Sequence, residues 1–278
     1  MVLAPAPFCP WPLDASSPSW SHRSPTTAGR EPTVRPGAVL ERSAMTIEGF
    51  DALAASVLEA LPHDQRGLIA IDGIGGSGKT VFAERLAGRF PRRQVVLLHA
   101  DHFFQPSAIR HRRGRHSAEG FWLDAYDYDT LASWALVPLL RDGDGRFCAS
   151  SYDPDGDRVV RPAPQLADDD ALVIVEGTFL LRDELTGHWD FSIFLDVPFS
   201  EGARRRAQRS VVDRYAVQPP TPALIDRYDG AQRLYFAHCT PWTRATLVVD
   251  YTDLRAPRAV DPDMSHACAA HVATARPE

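Results

Sequence analysis

Eight consecutive residues, Gly73-Ile74-Gly75-Gly76-Ser77-Gly78-Lys79-Thr80, fill the pattern G-x-x-x-x-G-K-[ST] without a mismatch. Glycines let successive backbone N–H groups curl around a phosphate without Cβ clashes. A helix opening at the end of such a loop adds the partial positive charge of its N-terminus. In this pattern the lysine reaches the β- and γ-phosphates and the threonine hydroxyl ligates Mg²⁺. The chain uses lysine nowhere else, since Lys79 is one lysine among thirty basic residues. Arginine is a planar fork, whereas lysine is a compact charge on a thin stem, so the exception marks a position that needs the latter. A glycine-rich turn kept only for packing is the alternative, and the strand before and helix after argue against it. Residues 73–80 are therefore expected to bind a nucleoside triphosphate. The lone lysine also excludes an N-K-x-D guanine reader and a protein-kinase β3 lysine, each of which needs a second one.

The pattern around the loop sets the fold class. Apolar runs at 68–72, 94–99, 171–176, 191–197 and 245–250 alternate with helical periods at 79–89, 130–140, 200–215 and 222–238. Runs as apolar as LIAI, VVLL and LVIV suit parallel strands covered on both faces. The alternation predicts an α/β fold with a doubly wound, mostly parallel five-stranded sheet, and ligands at the carboxyl ends of its strands. Segments 147–153 and 157–161, separated by Pro154, Asp155 and Gly156, read as an accessory hairpin. Eight of the twenty-three prolines fall in residues 1–44, which have no sustained period and are expected to be disordered. A helical spacing at 46–61 opens the working domain, placed at 45–255, and 256–278 is expected to be unstructured.

Composition narrows the partners. A net charge of −6 argues against a chain built to coat nucleic acid or an anionic membrane. No apolar run approaches the roughly 20 residues of a membrane span. Cys9, Cys148, Cys239 and Cys268 are scattered without metal-site spacing, so a reducing cytoplasm is the expected home.

Phosphoryl transfer to an alcohol needs a carboxylate at a strand end beside the phosphate loop, placed to take the hydroxyl proton. Asp101, after VVLLHA, stands at such an end, with Phe103 beside it to pack a substrate; a turn-capping aspartate is the alternative reading. Glu176 ends the run LVIVE as a hard oxygen ligand near the loop, of the type Mg²⁺ prefers. Arg206 and Arg209 are three apart and share one helix face, where two guanidinium forks would stabilise charge on a transferring phosphoryl group. A solvated helix face is the alternative. A second basic run, Arg110, Arg112, Arg113 and Arg115, reads equally as a contact for an anionic acceptor or as a solvated loop.

Taken together, IDGIGGSGKT, HADHFF, SSYD, LVIVEGTFLLRDEL, WDFSIFLDV and ARRRAQR resemble the uridine kinase family of P-loop kinases, with its phosphoribulokinase-type relatives. The resemblance runs from about residue 68 to 250. It implies an ATP- and Mg²⁺-dependent kinase of a small-molecule hydroxyl, with a nucleoside such as uridine as first acceptor. By position it implies Asp101 as general base, Glu176 as a Mg²⁺ carboxylate with Thr80, and Tyr152 and Asp127 in the acceptor pocket. Arg206 and Arg209 match arginines of a lid over the phosphates. Asp129 capping the next helix is compatible with that reading of Asp127. Two departures stand out. Nucleoside-phosphorylating members carry a histidine where this chain has Asp157, and Ser210 replaces a usual lid aspartate. A non-nucleoside acceptor, such as a vitamin precursor or sugar phosphate, is the second reading; a non-catalytic nucleotide-binding regulator is the third. GTP as donor and a homo-oligomer both stay open.

Overall fold

A computed structural model describes residues 49–209 and 221–275. The expected disorder of 1–44 lies outside the described residues, as does Ser210. The five apolar runs form β1 (Gly67–Gly73), β2 (Val95–His99), β3 (Leu172–Glu176), β4 (Phe191–Asp196) and β5 (Leu247–Asp250). They pair in parallel in the order β5-β4-β1-β3-β2. Central strands β1, β3 and β4 are buried along their whole length, which explains their unbroken apolar composition. Edge strand β2 alternates between buried and half-buried positions.

Side chains alternate across the sheet and feed two cores. One face buries Leu68, Ala70, Val173 and Val175 under α3 (Ala118–Asp124) and α5 (Pro222–Cys239). The other buries Ile69, Ile71, Leu172 and Ile174 under α1 (Phe50–Ala60) and α2 (Lys79–Ala87). The helical spacing read at 46–61 thus docks Phe50, Leu53 and Val57 on the sheet.

The structure corrects several expectations. Within the stretch 256–278, the described residues 256–275 are structured: β6 (Arg258–Ala259) pairs antiparallel with β5 as a sixth strand, and α6 (His266–Ala275) follows. The buried Asp196 carboxylate holds the start of α6, accepting from His266 N at 2.8 Å and Ala267 N at 3.0 Å. A strand-end aspartate thereby supplies the cap that local composition could not show. The single hairpin resolves into two separate two-residue ladders. Tyr152–Asp153 pairs with Arg158–Val159, and Arg146–Phe147 pairs with Gln165–Leu166. The helix expected at 130–140 contains a wide turn at Ala132–Leu136, followed by Pro138, whose missing N–H cannot continue a regular ladder. α4 (Phe199–Arg209) is the described part of the helix expected at 200–215. Among the described residues no helix is long and apolar enough to cross a membrane.

Candidate active site

The loop from Gly73 to Gly78 joins β1 to α2 and is shaped by backbone that only glycine adopts easily. Gly76 and Gly78 have φ of 82° and 96°, and a Cβ on Gly76 would lie 2.3 Å from the carbonyl oxygen of Gly202 in α4. α4 therefore packs directly on the loop, and Arg205 rivets it there. Its guanidinium donates to Ser77 O at 3.0 Å and Thr252 O at 2.7 Å. Lys79 arches over the loop, with Nζ 3.0 Å from Gly73 O and 3.1 Å from Ile74 O. Ser77 Oγ is buried in the loop and has no hydrogen-bond partner among the described residues. A buried hydroxyl and a loop of main-chain N–H groups fit a polyphosphate.

Strand register brings the acidic side together. Glu176 lies opposite both Ile71 of β1 and His99 of β2, so its carboxylate meets groups from both neighbours. Thr80 donates its hydroxyl to Glu176 Oε1 at 3.0 Å, and His99 Nδ1 lies 2.7 Å from the same oxygen. Burial works to raise Glu176, but the hydrogen bond from His99 and the charge of Lys79 outweigh it and hold the carboxyl below its ordinary value. The hydrogen bond to Glu176 raises His99 in turn. Thr80 and Glu176 are the hard oxygen donors Mg²⁺ takes. Among the described residues no three His, Cys, Asp or Glu side chains converge into a cage, so phosphate oxygens and water would complete the shell of such an ion.

Asp101 follows β2 in a short turn, Ala100–Phe103, and is open to solvent on one side while enclosed by protein on the others. That enclosure and the charge of Glu176 raise its carboxyl above the ordinary value, against the hydrogen bond Tyr126 donates to Oδ1 at 2.8 Å. Tyr126 and His99 are site residues the sequence reading passed over. Tyr126 stood within LDAYDYD, where only acidic residues drew notice.

One sequence assignment to the acceptor pocket, Phe103, is corrected. Phe103 is fully buried in the core and touches no open space. Its neighbour Phe104 forms the wall instead, stacking on Tyr126 with centroids 4.6 Å apart. Alternation along the turn sends one ring inward and the next outward. Asp127 is the N-cap of the Tyr128–Leu131 turn, its Oδ1 accepting from Thr130 N at 3.0 Å, so the capping role expected of Asp129 belongs to Asp127. Tyr152 does reach this wall, lying edge-on to Phe104. Its hydroxyl donates to Asp157 Oδ1 at 2.7 Å and accepts from Arg110 Nη2 at 3.0 Å. Asp157 also takes the N–H and hydroxyl of Ser107, and these bonds lower its carboxyl to about 2. Asp157, one of the departures noted in the sequence, is thus a carboxylate spent on its own chain.

Arg206 donates to Gly75 O at 2.6 Å and pairs with Asp229 of α5 at 2.6 Å, which places it against the phosphate loop. Arg209 ends the described part of α4, and its side chain lies outside the described residues. Arg112 and Arg113 of the basic run are bound to the buried carboxylate of Asp124. Another residue missed in the sequence is Asp72, the one charge in the first apolar run. Fully buried, it accepts from the N–H of Gly73 at 2.6 Å, the N–H of Leu181 at 3.1 Å and the hydroxyl of Tyr235 at 2.5 Å. It ties the loop to the segment after Glu176 and to α5.

Comparison with known proteins fits this arrangement. A uridine kinase of Ureaplasma parvum serovar 3 is 28% identical over 153 residues, spanning 53% of this chain and 70% of that protein. A solved structure described as a "Possible Uridine Kinase" from Bacillus stearothermophilus superposes with a TM-score of 0.56 at 24% identity, covering 72% of this chain and 96% of the other. A proposed fructose transport system kinase from Silicibacter sp. TM1040 gives 0.52 at 23% identity, covering 70% and 94%. These two structures share the fold: a mostly parallel α/β sheet of P-loop kinase type. The model of the phosphoribulokinase/uridine kinase family matches residues 68–221, more than half of the sequence. The chain belongs to the phosphoribulokinase/uridine kinase family.

Proposed function

We propose that the protein transfers the γ-phosphoryl group of ATP to a hydroxyl of a small molecule, with Asp101 as general base. The observation that carries this reading is the solvent-open Asp101 carboxylate, which feels the charges of both Lys79 and Glu176 beside the phosphate loop. Lys79 and the loop amides would hold the β- and γ-phosphates. Thr80 and Glu176 would hold Mg²⁺, which when bound offsets phosphate charge. Asp101 would take the hydroxyl proton as the acceptor oxygen bonds to phosphorus and the bond to the ADP oxygen breaks. Arg206, and Arg209 with it, would face the charge on the transferring group. A regulator without chemistry would be expected to plug Asp101 with its own chain, and among the described residues no such plug stands there.

The uridine kinase relative makes uridine the first acceptor to try. A non-nucleoside acceptor is favoured by Asp157, which cannot serve as the base-reading histidine while clasped by Ser107, Tyr152 and Arg110. The test is ADP release over a panel of nucleosides, sugars, sugar phosphates and vitamin precursors, with and without EDTA. Turnover should rise with one acceptor class and stop on chelation. An acceptor-independent rate equal to every acceptor-stimulated rate would refute the reading.

A further inference from the structure

Arg227 of α5 is only 4% exposed, yet among the described residues its Nε and Nη2 have no hydrogen-bond partner and its guanidinium has no ion-pair partner. Its guanidinium lies 4.9 Å from the centroid of Phe121 and 5.7 Å from that of Tyr228. The buried Nε of Arg110 is likewise without a partner, and this guanidinium stands 5.2 Å from the Phe104 centroid. Phe104 stacks on Tyr126, and Tyr126 lies 6.2 Å from Phe121. One aromatic wall therefore runs from Arg110 to Arg227, and its middle ring is the tyrosine bonded to Asp101.

The charges along this wall repel one another. Burial, then Arg110 and Arg115, push Arg227 below its ordinary value. Burial and the same three arginines push His111 down as well. An exposed arginine run needs no explanation; Arg112 and Arg113 are answered by Asp124, and Arg110 pairs through Nη2 with Asp157 at 3.5 Å. Arg227 differs. Contact with aromatic rings offsets only part of what a desolvated, unpaired charge costs. A buried cation persists at such a cost when something outside the chain completes it.

We propose that Arg227, with Arg110, binds an oxyanion, phosphate or carboxylate, carried by the acceptor whose hydroxyl faces Asp101. This rests on the hydroxyl-kinase reading above and names its acceptor class as an anionic metabolite, with its charged end at Arg227 and its reacting alcohol at Asp101.

Binding and turnover test it separately. With the phosphate loop filled by a non-hydrolysable ATP analogue and Mg²⁺, inorganic phosphate and acetate are titrated calorimetrically into the wild type, Arg227→Gln and Arg227→Lys. One of the two anions should bind the wild type at one site, weaken roughly 10- to 100-fold in Arg227→Gln, as lost charge-assisted hydrogen bonds do, and recover in part in Arg227→Lys. Which anion binds identifies the group. Matched acceptors, a sugar beside its phosphate and its sugar acid, should separate by at least about tenfold in kcat/KM in favour of the anion, as one charged contact allows. Without added anion, Arg227→Gln should melt at or above the wild-type temperature, since it removes an unpaired buried charge; a merely structural arginine would lower it. Equal anion binding in wild type and Arg227→Gln, or no binding to either, overturns the subsite. Anion binding that depends on Arg227 without any acceptor-stimulated turnover would uphold the subsite and overturn the kinase reading instead.

Discussion

Asp101 must be ionised to take a proton, and its surroundings make it a stronger base than an exposed aspartate. Protein enclosure and the negative Glu176 raise its carboxyl, while the hydroxyl of Tyr126 opposes them. A base with a raised value loses activity as pH falls through that value, so the acid limb of kcat/KM should lie above the ordinary aspartate range of about 4. Tyr126→Phe removes the bond that favours the charged form. The limb should then move to higher pH, and a pH–rate profile that stays in place would separate Tyr126 from the base. Asp101→Asn should lower kcat by roughly 10²- to 10⁴-fold, the usual weight of a general base. Nucleotide binding should persist in a fluorescence titration of that variant, because Asp101 acts on the acceptor. Loss of nucleotide binding would instead make Asp101 part of the loop's scaffold.

Elements place these side chains, and they differ in how far the sequence announces them. All five parallel strands could be read: β1, β3 and β4 are buried on both faces and must be apolar throughout, and β2 and β5 keep short apolar runs of their own. The phosphate loop could be read because its chemistry demands one fixed string of residues. α3 escaped notice: it is a seven-residue helix, too short to show a period, with Gly120 in its first turn. The acceptor wall escaped for a related reason. Whether Phe103 or Phe104 faces inward depends on the rotation of a four-residue turn, which no pattern in HADHFF records. Asp72 could have been noticed as a lone carboxylate in an apolar strand, but apart from the adjacent Gly73 N–H its partners lie more than 100 residues away. Those partners make a prediction at this scale. Tyr235→Phe keeps the ring packed in the core and leaves Asp72 Oδ2 with one donor fewer. Losing one hydrogen bond to a buried carboxylate that keeps only the Leu181 N–H on that oxygen costs about 1–3 kcal/mol, which a urea melt should resolve. Since α5 carries Tyr235, Arg227 and Asp229, loosening it should also weaken the contact of Arg206 with the loop. An unchanged melt would mean that Asp72 is held by the main-chain N–H groups alone.

At the scale of the whole molecule, the family match ends at residue 221, whereas the folded chain continues well past it. β6 and α6 were illegible in the sequence because what organises them is distant. Arg258 pairs with Asp250 at 2.9 Å, and Asp196, 70 residues before His266, caps α6. Burial raises the Asp196 carboxyl, and the two N–H groups of α6 work against that rise by stabilising its charge. A chain ending at Ala256 would strip both donors from a carboxylate that is 1% exposed and remove Ala267 from the core. Losing hydrogen bonds to a buried charge should cost about 2–4 kcal/mol, after allowance for water entering the opened site. For a domain of this size that corresponds to roughly 4–16 °C in Tm, readable by calorimetry. The loss should be greater at neutral pH than in acid, because a protonated Asp196 needs the two N–H groups less than an ionised one does. A truncated chain that melts with the full one at both pH values would show that the sheet and both cores are complete without β6 and α6.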